Sequence, residues 1–241
     1  MNRIPKELIA VCASVALLAA GCVPPAEQAG IPLPETGGQS AGESLPAAMY
    51  TTAAPTLSVP ADGDFVNIHS VDASIVVDLR YATPDNFTGR RLYHFTQAVL
   101  RYSTAEKLAA ANALLKEQGY VLKVWDAYRP LAAQQALWDA CPDPNFVAPP
   151  DPDHIAGHPL GATVDVTLCT ADGLEAAMQS GFDDFARAAR SYPRSTEQER
   201  LYRILDNAMT AAGFVGYIKE WWHYADSNQD FTPVQVDPTQ Y

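Results

Sequence analysis

The sequence predicts an α+β fold: a single compact domain on a mainly antiparallel sheet, flanked by helices. Three observations predict it. Residues 63–241 make one domain of ordinary size. Strand-like and helix-like stretches both occur but do not alternate strictly, which argues against a stack of parallel βαβ units. The stretch ATVDVTL (162–168) alternates, with Val164, Val166 and Leu168 on one side and Thr163, Asp165 and Thr167 on the other. That is the pattern of a strand with one face buried.

The elements follow in order. FVNIHSV (65–71) and SIVVDLR (74–80) are rich in β-formers and predict two early strands. Ser103-Thr104-Ala105-Glu106 has the spacing of a capping box, and the Ala/Leu-rich run behind it predicts a helix ending at Gly119. YVLKVWD (120–126) predicts a strand that runs into a turn. Pro130 suits the first position of the next helix, LAAQQALWDA. Residues 141–157 contain five prolines and must be a loop. Ser195 and Gln198 open a late helix with Leu201, Ile204, Leu205 and Met209 on one side, closed by Gly213. FVGYIKEWWHY (214–224) reads as a final strand.

The N-terminal part is different in kind. Arg3 and Lys6 precede an apolar run, Leu8–Ala20, of signal-peptide length. It ends in Leu18-Ala19-Ala20-Gly21-Cys22, which resembles a bacterial lipobox and implies acylation at Cys22. On this reading residues 1–21 are a lipoprotein signal. Residues 22–62, rich in Pro, Ala, Gly and Ser, form a flexible tether to a membrane anchor at the cell envelope. The net charge of -12 excludes a nucleic-acid partner, because nothing supplies a basic face for phosphates. Of the four cysteines, only Cys141 and Cys169 fall in the domain. Export to an oxidising compartment predicts that they form a disulfide, with two separate thiols as the alternative.

Three short motifs carry chemistry. In GHPLGATVDV (157–166), His158 and Asp165 stand around a small-residue turn with no lysine or arginine to neutralise the acid. EWWH (220–223) adds His223, and beside it Glu220. Two imidazoles and one carboxylate leave one tetrahedral position of a single Zn²⁺ open, as catalytic zinc sites do. A neighbouring glutamate can then act as the general base. In a regular strand Glu220 and His223 face opposite sides, so the reading requires a bend or strand end near Trp221. DAYRP (126–130) places Arg129 in a turn, where its guanidinium can stabilise a developing oxyanion. Taken singly, each motif has an ordinary structural reading: a capped turn, an aromatic strand edge, a surface ion pair.

In this order, DAYRP … H-x2-G-x3-D … EWWH resembles the VanX-type zinc D-alanyl-D-alanine dipeptidases, relatives of the D,D-carboxypeptidases. LRYATPDNFTG (79–89) and GFDDF (181–185) extend the likeness to the dipeptidase branch. The resemblance implies a compact α+β fold with the zinc site on its sheet, and it covers about 64–225. It implies His158, Asp165 and His223 as zinc ligands, Glu220 as general base and acid, and Arg129 as the group that polarises the scissile carbonyl. It also implies Asp183 as the partner of the substrate's ammonium, a position where an aspartate could instead cap a helix. The substrate implied is D-Ala-D-Ala, with peptidoglycan stem peptides as the alternative. The chain departs from the family pattern at Ala156, where a serine is usual, and at Pro159-Leu160. His69, His94 and His154 match no ligand position.

Overall fold

The computed structural model describes residues 59–241; the expected signal segment, Cys22 and nearly all of the tether lie outside the described residues. Among the described residues, seven strands and three α-helices follow one another. They are β1 (Phe65–Asn67), β2 (Val76–Val77), β3 (Val99–Arg101), α1 (Tyr102–Lys116), β4 (Val121–Asp126), α2 (Leu131–Ala140), β5 (Thr163–Cys169), α3 (Thr196–Ala211), β6 (Phe214–Gly216) and β7 (His223–Asp226). β1 and β3 make an antiparallel ribbon, and the other strands form one sheet in the order β2-β4-β5-β7-β6. The α+β class holds. The sheet is mixed, because β2 runs parallel to β4 while the remaining pairs are antiparallel. None of the described helices is long and apolar enough to cross a membrane.

β5 is buried along its whole length, on both faces. Its alternation therefore separates two interiors rather than interior from solvent. Val166 and Leu168 pair with Val124 and Leu122 of β4, giving a continuous aliphatic face. α1 and α3 pack on each other and on β4, β5 and β6. Thr163, Asp165 and Thr167 face the other way, beneath a layer of loops and aromatic rings.

Several predicted elements change shape. The first strand stops at Asn67, whose side chain accepts from His69 N at 3.0 Å and caps a single 3-10 turn. The second shortens to Val76–Val77. α1 continues directly from β3, so Ser103 lies inside the helix; its hydroxyl donates to Asp62 O at 3.2 Å instead of capping. Pro130 is the N-cap of α2, one place earlier than expected. The capping box at Ser195 and Gln198 forms in both directions, and α3 buries Leu201, Leu205 and Met209 as its periodicity requires. The predicted last strand is two strands: β6 and β7 pair antiparallel, with residues 217–222 turning between them.

Cys141 and Cys169 are free thiols, not the expected pair. The sheet register explains it. Cys169 pairs with Val121 at the end of β5, four residues or about 13 Å along the strand from Asp165. Cys141 instead ends α2, one turn after Leu137, which lines the same cavity as Asp165.

Candidate active site

The site begins with an irregularity in the sheet. Val124 pairs with Val166, but the next pair is Asp126 with Asp165, so β4 spends two residues on one step of β5. This bulge at Trp125 brings Asp126 onto the same face as Asp165. Asp165 in turn pairs with His223, the first residue of β7. Asp126, Asp165 and His223 thus form a row across three adjacent strands.

His158 joins the row from outside the sheet, on a 3-10 turn (His158–Leu160) between Gly157 and Gly161, both at positive φ. The turn is clamped by the β1–β3 ribbon: Arg101 donates to Leu160 O at 2.9 Å, and the Phe65 ring lies against Gly161. His158 Nδ1 faces the carbonyl of Ala127 at 2.8 Å. A carbonyl only accepts, so the hydrogen bond assigns the proton to Nδ1 and leaves a lone pair on Nε2. That nitrogen lies 3.3 Å from Asp165 Oδ2 and 3.4 Å from His223 Nδ1, which is itself 3.0 Å from Asp165 Oδ1. Among the described residues these three are the group able to hold a metal ion. Two imidazole nitrogens crowded around one buried carboxylate form a donor set that suits a divalent transition metal.

Glu220 sits in the turn between β6 and β7, with Oε2 3.6 Å from His223 Nδ1. The strand end required of the EWWH motif is present. Burial pushes the Glu220 carboxyl above the usual carboxylate range, Asp165 and Asp183 add to this, and His223 opposes it. Trp221 and Trp222 are buried beside it, and Trp221 donates to Ser180 Oγ at 2.9 Å.

Arg129 is held rigidly. Its Nε and one Nη donate to Asp126 Oδ2 at 3.0 and 2.6 Å, and the other Nη donates to Gln134 Oε1 at 2.8 Å. Burial opposes its charge, but Asp126 more than compensates, so the guanidinium stays protonated. Its Nη2 lies 3.9 Å from Asp165 Oδ2. Asp126, Gln134 and Tyr81 were not anticipated as parts of the site. Asp126 stood in the DAYRP motif, but an acid three residues before an arginine does not reveal that a bulge will bury the pair.

Asp183 reaches the same cavity from the segment between β5 and α3. No helix follows it, so it caps nothing. Its φ of 57° makes it the one non-glycine residue with positive φ among those described, a strained conformation that aspartate tolerates better than most. Tyr81 OH donates to Oδ1 at 3.3 Å and Phe87 N to Oδ2 at 3.1 Å. Burial pushes its carboxyl up to about 7, and the Phe87 hydrogen bond only partly offsets this.

All six predicted residues, His158, Asp165, His223, Glu220, Arg129 and Asp183, line one cavity of about 390 Å³. The proline-rich loop 141–157 forms much of its wall. Gln134 ties that loop down through Ala148 O at 2.6 Å, and Lys219 reaches Asn145 Oδ1 at 2.6 Å across from the β6–β7 turn. His154 stands at the rim, bonded to Asp151.

Residues 61–238 match the profile of a family described as D-ala-D-ala dipeptidase. A D-alanyl-D-alanine dipeptidase of Escherichia coli (strain K12) is 33% identical over 165 residues, covering 67% of this chain and 83% of the relative. One from Streptomyces coelicolor is 33% identical over 185 residues, covering 67% and 91%. Another, from Enterococcus faecium, is 34% identical over 172 residues, covering 61% and 83%.

Proposed function

The chain belongs to the D-ala-D-ala dipeptidase family of metallopeptidases, and on that premise we propose that it hydrolyses free D-Ala-D-Ala with one zinc ion held by His158, Asp165 and His223. The observation that carries this is the convergence of all six residues on one cavity. Two histidines and a carboxylate are a donor set that zinc accepts, and they leave a position open for chemistry. Held by these three side chains, such an ion would supply Lewis acidity for the scissile carbonyl.

The chain's own groups do the rest. Arg129, immobilised by Asp126 and Gln134, points its fixed positive charge at the carbonyl oxygen and stabilises the negative charge that develops there. Glu220 takes the proton of the attacking water and passes it to the departing amine. A carboxyl whose pKa is raised toward neutrality suits both transfers. Asp183 receives the dipeptide's ammonium, and that positive charge returns the carboxyl to its ionised form. In a longer stem peptide the same nitrogen is an uncharged amide, which leaves Asp183 without its partner; this favours the free dipeptide over stem peptides.

The test compares D-Ala-D-Ala with a muropeptide ending in the same pair, for wild type and Asp183→Asn. Preference for the free dipeptide, lost in Asp183→Asn, is the expected result. Equal cleavage of stem peptides by the wild type overturns the dipeptidase reading in favour of a D,D-carboxypeptidase or endopeptidase. Elemental analysis is expected to find one zinc per chain.

We propose further that the protein is a lipoprotein, tethered through acylated Cys22 at the cell envelope; the Leu18–Cys22 motif in the sequence supports this. Cys22→Ser is then expected to move the protein from the membrane fraction to the soluble one. Its retention on membranes overturns the anchor.

A further inference from the structure

The cavity is larger than its proposed substrate requires. Its volume of about 390 Å³ falls in the range of ~300–1,000 Å³ typical of sites for drug-sized ligands, yet alanine is the smallest chiral residue a dipeptide can contain. The apolar part of the lining is organised. Phe87, Phe185 and Phe146 form a continuous wall, with ring centroids 5.5 Å apart between the first two and 4.9 Å between the last two. All three rings are half-buried, so they present a face to the cavity instead of sinking into the core.

This wall starts at Asp183. Phe87 N donates to the Asp183 carboxylate at 3.1 Å, and Phe185 N donates to the Asp183 carbonyl at 2.9 Å. An ammonium held by that carboxylate has its α-carbon one bond away and its side chain one bond further. The side chain of a dipeptide's N-terminal residue therefore lies beside the three rings. Phe146 belongs to the 141–157 loop, and the Gln134 and Lys219 hydrogen bonds hold that loop in place, so the wall is fixed before a substrate arrives.

We infer that Phe87, Phe146 and Phe185 form a side-chain subsite, and that the enzyme cleaves D,D-dipeptides whose N-terminal residue is apolar and of leucine to phenylalanine size. The inference rests on the reading of Asp183 as the ammonium partner. A methyl group reaches little of the wall, whereas an isobutyl or benzyl group covers it and displaces water from apolar surface.

The experiment measures kcat and KM for D-Ala-D-Ala, D-Leu-D-Ala and D-Phe-D-Ala with the wild type and with Phe146→Ser. The wild type is expected to cut D-Leu-D-Ala with a kcat/KM no more than about tenfold below that of D-Ala-D-Ala. In Phe146→Ser the ratio of the two is expected to fall at least about tenfold, chiefly through KM, since one to a few methylenes carry that much discrimination. Turnover of D-Ala-D-Ala by the variant shows that it is folded, and Phe146→Leu replaces it if it is not. Cleavage of D-Ala-D-Ala with larger rejection of D-Leu-D-Ala, or a ratio that ignores Phe146, overturns the subsite alone. Inactivity on every dipeptide overturns the dipeptidase reading beneath it.

Discussion

Asp126 shows how much of the site depends on a residue with no place in the chemistry. It is fully buried and accepts from Tyr93 OH at 2.7 Å, from Ala127 N at 2.9 Å and from two nitrogens of Arg129. Asp126→Asn leaves a buried guanidinium without its counter-charge. The expected cost is about 3–5 kcal/mol of folding stability, read by urea denaturation, together with a fall in kcat as Arg129 loses its aim. Stability within ~1 kcal/mol of wild type refutes the pairing as the source of rigidity. Glu220→Gln separates chemistry from architecture: it keeps the side chain's shape and removes the carboxylate proposed as the base. A loss of roughly 10² to 10⁴ in kcat is expected, with metal content unchanged. At this scale the sequence displayed the residues that converge on the cavity well, because their types are rare in apolar surroundings. It hid their supports, since Asp126, Tyr81 and Gln134 are ordinary residues until the bulge buries Asp126, the rings of Tyr93 and Phe182 cover Tyr81, and α2 carries Gln134 inward.

The β6–β7 hairpin decides where Glu220 stands, and Gly216 decides where the hairpin stands. A β-carbon at Gly216 would meet Arg190 Nη2 at 1.8 Å. Arg190 cannot simply swing aside: it donates to Tyr217 O at 2.9 Å, to Tyr202 OH at 2.9 Å and to Asp206 Oδ1 at 2.5 Å. Gly216→Ala is expected to cost ~1–3 kcal/mol and to lower kcat by shifting the Tyr217–Trp222 turn. An unchanged denaturation midpoint and kcat refute that role. A second element-scale link is Asp72, which joins the β2 loop to α1. Burial raises its pKa, but hydrogen bonds from Ser74, Asn112 and Lys116 outweigh this and depress it. A depressed folded-state pKa means the stabilisation is present above the unfolded value of about 3.9 and lost as pH falls below it. Asp72→Asn is therefore expected to flatten the loss of stability between about pH 4 and pH 2, and an identical acid limb in both proteins refutes it. The legibility of elements follows their length. α3 shows four turns of period and both halves of its cap. β3 has only three residues, too few for any period, and the aromatic-rich 214–224 stretch conceals a reversal.

The whole molecule assembles its site from segments that the sequence keeps far apart: a 3-10 turn, a central strand, an edge hairpin and a loop before α3. The ordered motifs disclosed the membership of that set, but the pairing Asp126–Asp165–His223 depends on sheet register, which no motif states. The expected cysteine pair failed for the same reason: export made it plausible, but register sent Cys169 to the far end of β5. This assembly has a thermodynamic consequence. A metal held by His158, Asp165 and His223 ties the 157–161 turn to β5 and β7, and an unfolded chain offers no such set. Binding to the folded state alone stabilises it by RT ln(1 + [L]/Kd), about 2.7 kcal/mol at a hundredfold excess of free metal over Kd. For a domain of this size that corresponds to a rise in Tm of roughly 5–11 °C. Calorimetry of the chelated protein, titrated with zinc, is expected to show Tm climbing with free metal concentration. His223→Ala is expected to abolish most of the response while Asp183→Asn, outside the donor set, preserves it. A Tm indifferent to zinc in the wild type shows that the three side chains hold no metal, and the Lewis-acid role assigned to the site falls with it.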